Sequence, residues 1–308
     1  MRPFRFGFQS AADDATEVER SARAAEQAGF DVFQVGDHVG TALSPLVTLA
    51  AAAAATSTIR LGTLVLNNDL RHPVVLAQEV ATLDHVSNGR VELGLGAGHS
   101  FTEYAAMGLT FDPPSVRKAR LAEATEILGP LLAGEEVTYA ATHYRVAGAR
   151  TLRPLQAHMP LLVGVNGSEA LAHAARHADI VAPTMLGRTL EDGQHHEVRW
   201  EAERLDTTMD TIRSAAGTRW PQLELHALVQ AVVPSQDRTA TARELSARLA
   251  TRPDDILATP FLCLGSHEEM AQHLVACRAR WGINYFTVRD IDAFAPVMAL
   301  VRSLDGTA

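Results

Sequence analysis

Short apolar runs alternate with longer amphipathic stretches along the whole of this chain. β-Branched and aromatic residues fill the short runs, as expected of strands buried on both faces, while the longer stretches repeat their apolar positions at helical spacing. The pattern predicts strands at 5–9, 31–35, 59–66, 91–95, 161–165, 180–181, 223–233 and 283–288. Between them it predicts helices at 16–28, 46–56, 74–86, 115–132 and 168–177, a polar and mostly helical stretch at 188–216, and helices at 239–250, 267–281 and 293–304. Gly29 ends the first helix, and Pro73 opens another at a first-turn position. Only 134–146 breaks the rhythm, where Val137–Tyr139 and His143–Val146 predict a short inserted hairpin.

Eight successive β/α units predict an α/β fold, a (β/α)8 TIM barrel with insertion segments; an open doubly wound sheet is the alternative. No composition shift or linker divides the chain, so residues 1–308 are expected to form a single domain. In a barrel the chemistry gathers where strands end and loops begin.

Composition narrows the function. A hydrophobic share of 47% over 308 residues supports one large core. The balance of 27 Lys and Arg against 36 Asp and Glu gives −9, without any basic run, so there is no electrostatic footprint for nucleic acid. Leu46–Ala55, the longest apolar run, is too short to span a bilayer. Two cysteines make no disulfide framework, and the N-terminus enters a strand without a signal-peptide core. A cytoplasmic protein is therefore expected.

Asp37-His38 follows the second strand, where an acid beside an imidazole could handle a proton near neutral pH. A capping Asp beside an incidental His, in a chain with 13 histidines, accounts for them equally well. Gly94-x-Gly96-x-Gly98 lacks the dinucleotide spacing and instead suits close backbone approach to a flat ring. Gly164-Val165-Asn166-Gly167-Ser168 precedes a helix whose free N–H groups favour phosphate, although an ordinary turn explains the residues too. His173 and His177 have i, i+4 spacing but no Glu between them as in H-E-x-x-H; a solvated helix face is expected there, with no metal. His195-His196-Glu197 is expected on a polar surface helix. Neither cysteine has a base beside it, and no nucleophile elbow or Walker loop occurs.

The order of motifs adds a further expectation. The segment from Thr56 to Glu103 carries Arg71-His72-Pro73, Ala77-Gln78-Glu79, the Ser87-x-Gly89-Arg90 turn and the Gly-rich strand end at 91–98. Around it lie Glu26-x-x-Gly29-Phe30-Asp31, Ala175-x-x-Ala178-Asp179-Ile180-Val181, Leu264-Gly265-Ser266 and Gly282-Ile283-Asn284-Tyr285. Together these resemble the bacterial-luciferase-like oxidoreductases, and most closely the branch that uses the deazaflavin coenzyme F-420.

The resemblance implies hydride transfer between the coenzyme and a small organic substrate. FMN-dependent monooxygenation is the alternative, and a non-catalytic flavin- or partner-binding barrel a third. It implies that Asp37 and His38 contact the deazaflavin ring, with His38 near the reactive carbon. It also implies a non-proline cis peptide between Leu64 and Val65 behind the ring. The loop of Ala97, Gly98 and His99 would contribute to the pocket, and Val165, Asn166, Gly167 and Ser168 would hold the phosphodiester tail. Glu103 matches the family acid, though it could simply cap the helix that follows. Gln9, Asn67, Thr184 and Met185, with the Asp69–Arg71 loop, are expected on the substrate side. A homodimer is expected from the resemblance and from the alanines at 50–55, which could equally pack on the barrel.

Overall fold

The computed structural model describes residues 2–190 and 196–306, the side chains of residues 188 and 189 excepted. Its barrel strands are β1 (Arg5–Ser10), β2 (Val32–Val35), β3 (Arg60–Thr63), β4 (Val91–Gly96), β5 (Leu161–Val165), β6 (Ile180–Pro183), β7 (Glu224–Leu228) and β8 (Tyr285–Val288). Each pairs in parallel with its sequence neighbour. The ring closes between β3 and β4, where Leu61 lies opposite Val91. This is the closed (β/α)8 barrel expected from the pattern, not the open sheet.

The surrounding helices are α1 (Ala15–Gln27), α2 (Pro45–Ala55), α3 (Pro73–Val86), α4 (Phe101–Ala106), α5 (Pro114–Leu132), α6 (Ser168–His177), α7 (Ala202–Ala216), α8 (Arg238–Leu249), α9 (Pro253–Ala258), α10 (His267–Trp281) and α11 (Ile291–Leu304). Local chemistry fixes their starts. Asp14 accepts from the Glu17 N–H at the head of α1, and Ser266 and Glu269 form a reciprocal capping box on α10. Among the described residues, no helix is long and apolar enough to cross a membrane.

Apolar side chains fill the space between strands and helices, while the barrel interior is polar in layers. At its floor Arg5 bonds Glu224 and Glu92, the latter at 2.6 Å, and Tyr285 donates to Glu92 at 3.0 Å. One layer up, His226 contacts Thr287 at 2.8 Å, and Thr287 donates to Gln34 at 2.7 Å. Burial pushes the His226 imidazole down to about 3, so it stays neutral in this stack.

Several elements differ from the pattern: the 59–66 run breaks after β3, with Leu66–Asn67 a separate short strand, and α9 was not anticipated. Among the described residues, the stretch 188–216 is helical from Ala202; before it, Leu186–Thr189 pairs antiparallel with His196–Val198. His196 and Glu197 therefore lie on a strand and not on a helix, and His195 lies outside the described residues. The run 223–233 is not one strand. After β7 the Val229 N–H bonds Thr287, and the Gln230 N–H bonds Phe261. That turns Ala231–Pro234 out of the barrel to pair in parallel with Leu262–Gly265. Both halves of the run are apolar for different reasons, and the pattern cannot separate them. Leu262–Gly265 was not anticipated either, being too short to show a period.

Candidate functional site

The C-terminal mouth is built around β3. The Leu64–Val65 peptide bond is cis, as the resemblance implied. Gln9, at the end of β1, donates its amide N–H to the Leu64 carbonyl at 2.6 Å and accepts from Arg289 at 2.8 Å. Arg289 also donates to Gln230 at 3.0 Å, so two neutral amides hold a guanidinium at the mouth. Gly94 and Gly96 exist to receive this bulge. A Cβ on Gly94 would lie 2.0 Å from the Thr63 carbonyl oxygen, and one on Gly96 would lie 2.7 Å from Val65. Their missing side chains make room for the chain's own backbone, which the sequence alone could not tell from room for a ligand.

His38 and Glu103 meet across this mouth. His38 Nδ1 lies 2.8 Å from Glu103 Oε1, and the second carboxylate oxygen accepts from the Val39 N–H at 3.3 Å. The helix cap is supplied by Ser100, whose hydroxyl accepts from the Glu103 N–H, so the Glu103 carboxylate is spent on the His38 loop. The His38 side chain is 44% exposed against 14% for Glu103: an orienting acid beneath an imidazole open to the mouth. A Cβ on Gly36 would lie 3.4 Å from His38 and 3.9 Å from the Gln9 amide, which sets His38 beside the Leu64 carbonyl's partner.

Asp37 is committed to the scaffold. It is buried, accepts from Arg71 at 2.6 Å and takes the Asn67 N–H at 3.0 Å. Asn67 in turn accepts from the Asp69 N–H and lies 3.0 Å from the Tyr104 hydroxyl oxygen. The Asp69 carboxylate accepts from Tyr104 and pairs with Arg120 at 2.8 Å. The strand-end acid and the 67–71 loop thus form one buried network. Ala97 and Gly98 hang from Arg117, which donates to both carbonyls. His99 faces His196 at 3.0 Å, and its ring sits 5.5 Å from that of His38. Desolvation in this crowded corner, with repulsion from His196 and His38, lowers the His99 imidazole to about 4.

The loop after β5 makes the second half of the site. Asn166 turns its amide to Thr184, to the Leu186 carbonyl and to the Met185 N–H, fixing the chain after β6. Met185 is buried with its sulfur toward Thr208. Gly167 has φ +88° at the N-terminus of α6, and a Cβ there would lie 3.3 Å from Lys118 Nζ. Lys118 reaches the Asn166 carbonyl at 3.5 Å, and Val165 closes the barrel side. A cavity of about 770 Å³ opens here, with Lys118, Ser168, Arg199 and Arg204 in its wall. A glycine cradle, a helix N-terminus and a neighbouring ammonium suit a phosphate-bearing tail. The mouth and this cavity together therefore fit a phosphorylated ring cofactor. Sequence reasoning left out Lys118 and Arg289, which carry no local motif, and set His196 aside as a surface residue.

Fold and mouth define a (β/α)8-barrel protein whose site joins an imidazole–carboxylate pair to a glycine loop at a helix N-terminus beside Lys118. The chain belongs to the luciferase-like monooxygenase family, whose model matches residues 3–285. It is 34% identical over 226 residues to the F420-dependent glucose-6-phosphate dehydrogenase of Nakamurella multipartita, covering 68% of this chain and 66% of that protein. To the protein of the same name from Beutenbergia cavernae it is 39% identical over 197 residues, covering 60% and 58%. The chain thus matches no more than about two thirds of the length of these curated relatives. The coenzyme F420-dependent tetrahydromethanopterin reductase of Methanopyrus kandleri has the same fold, with a TM-score of 0.77 at 19% identity over 98% of this chain and 99% of that one.

Proposed function

We propose that this chain is a coenzyme F-420-dependent oxidoreductase acting on a small organic substrate. The observation that carries the reading is the His38–Glu103 pair, 2.8 Å apart at the barrel mouth, on a scaffold that also offers a cationic phosphate cradle at Gly167 and Lys118. When bound, the deazaflavin would supply a carbon centre that accepts or returns a hydride. The Leu64–Val65 segment and the 97–99 loop would seat the ring, and Val165, Gly167, Ser168 and Lys118 would hold the tail.

The protein's own chemistry is proton handling. Glu103 accepts from His38 Nδ1–H, which fixes the ring and leaves Nε2 as the lone pair available to a substrate hydroxyl. As hydride leaves the substrate carbon, His38 can take the hydroxyl proton, and the partly buried Glu103 carboxylate steadies the imidazolium. Asp37 acts through position: with Arg71 it pins the 67–71 loop. Gln9, Asn67 and Thr184 bound the substrate side, and Met185 supports it from below. The relatives named as F420-dependent dehydrogenases support the coenzyme. The family description names a monooxygenase, which supports the FMN-dependent alternative as the second reading.

Titrating the purified protein with each coenzyme while following tryptophan fluorescence separates the two. Quenching by the deazaflavin and not by FMN is expected, and tight binding of FMN alone would overturn the reading. The buried, free Cys263 and Cys277 suit a cytoplasmic setting. The reading extends to a homodimer, supported by Val47 on α2 and Val75 on α3, which are 70% and 53% exposed. A monomer mass by light scattering at micromolar concentration would reject it.

A further inference from the structure

Away from the mouth, on the outer wall of the barrel, α5 and α6 bring together Glu126, His173 and His177. One donor atom from each lies within 4.8 Å of the others. The two histidines are a single helical turn apart on one face of α6, and their rings lie nearly parallel, 17° apart with centroids at 4.3 Å.

The hydrogen bonds around the cluster decide what it can hold. Thr125 donates its hydroxyl to the Ala122 carbonyl at 2.7 Å, so towards His173 Nε2, 2.9 Å away, it can only accept. That places the ring hydrogen on Nε2 and the lone pair on Nδ1. Nδ1 in turn faces Glu126 Oε1 at 4.0 Å, too far for a hydrogen bond and with an acceptor at each end. Glu126 Oε2 accepts from the Tyr139 hydroxyl at 2.7 Å, which aims the other oxygen at the histidines. A surface role for the histidines explains the outer contacts, but not why a lone pair and a carboxylate oxygen should face each other.

We propose that Glu126, His173 and His177 form a binding site for a borderline divalent transition metal, with Zn²⁺ as the reference ion. Two neutral imidazoles and one carboxylate are a ligand set for such ions, and a fourth position stays open to solvent beside exposed His177. Bonds of about 2.0–2.2 Å put ligand atoms about 3.3–3.6 Å apart in a tetrahedral site, so donors now within 4.8 Å of one another close by side-chain rotation. Thr125 behind His173 and Tyr139 behind Glu126 are the outer partners that metal ligands need for orientation. The ion would clip α5 to α6, the helices that carry Lys118 and the Gly167–Ser168 loop.

The site does not depend on the proposed coenzyme, and its test needs none. Chelator-treated full-length protein is titrated with Zn²⁺ by calorimetry, and with Co²⁺ by visible absorption. One ion per chain is expected, with a Co²⁺ spectrum typical of nitrogen and oxygen ligands. His177→Ala should weaken binding at least tenfold. Because His177 is exposed, the metal-free thermal midpoint should not move. Zn²⁺ should raise that midpoint in the wild type and not in the variant. His99→Phe, in the other histidine cluster, should leave binding intact. No binding, binding lost through His99→Phe, or equal binding by the wild type and His177→Ala would each overturn the site.

Discussion

Lys118 offers the sharpest test of where the coenzyme tail lies. Lys118→Met keeps the aliphatic stem and removes the ammonium. In the structure this group lies 3.3 Å from where a Cβ on Gly167 would stand and makes one long contact, 3.5 Å, to the Asn166 carbonyl. A phosphate seated over Gly167 would come within about 4 Å of it. Two unit charges at ~4 Å attract by ~1 kcal/mol in water and ~4 kcal/mol at an effective dielectric near 20; for a half-buried rim site ~2 kcal/mol is the middle value. That corresponds to a roughly 30-fold weaker Kd for the full coenzyme. Fluorescence titration would measure it alongside the bare deazaflavin chromophore, which lacks the phosphorylated tail and should lose little. Raising salt should narrow the gap between wild type and variant, because the charge at the rim is screened. Gly167→Val tests the same place by bulk and should weaken the full coenzyme tenfold or more. Equal losses for both ligands, or none for the full coenzyme, would refute the placement of the tail.

His38→Ala should lower kcat by ~10²–10⁴ with unchanged folding, since its side chain is 44% exposed; wild-type turnover would remove it from the mechanism. Gly94→Ala should fail to give soluble, cooperatively unfolding protein, because its Cβ would meet the Thr63 carbonyl at 2.0 Å; normal urea unfolding would contradict that packing. Glu26 gives the pH prediction. Burial works against its charge, but the N–H groups of Ile59, Thr58 and Ser57 hold the carboxyl down to about 2. This stabilisation is complete above the unfolded value of 4.5 and is lost as pH falls towards about 2. Glu26→Gln should thus cost about 1–3 kcal/mol at pH 7, and the difference should shrink through that window; a constant difference across it would reject the assignment.

The barrel was legible because each strand is a dense apolar run and each helix carries its own stop signals. The misread segments are those where one apolar run serves two partners. Residues 223–233 split between the barrel and the Leu262–Gly265 pair, and the antiparallel strands 186–189 and 196–198 are too short to show an alternation that would mark them. For the site, sequence placed His38, Gly167 and the 97–99 loop at strand ends but could not orient side chains. Gln9 turns inward to the Leu64 carbonyl, Asn166 grips the chain after β6, and Asp37 is spent on Arg71. Lys118 arrives from α5 and Arg289 from the end of β8, far along the chain from the loops they serve. Only the closure of the barrel brings them there.

The charged floor of the barrel has a consequence for how this protein can diverge. Arg5, Glu92 and Glu224 satisfy one another at the largely buried floor, with Tyr285 donating to Glu92, so replacing one of the three charged residues strands a partner's charge at a cost of about 3–5 kcal/mol. Such positions can drift only together, through coordinated exchanges that pass over unstable intermediates. At the opposite end the Asp37–Arg71 and Asp69–Arg120 pairs interlock in the same way, but Thr184 and His99 lie outside those pairs. Over generations the floor should therefore hold its composition while the rim is rewritten, allowing one inherited cylinder to be retuned to new substrates without rebuilding its base.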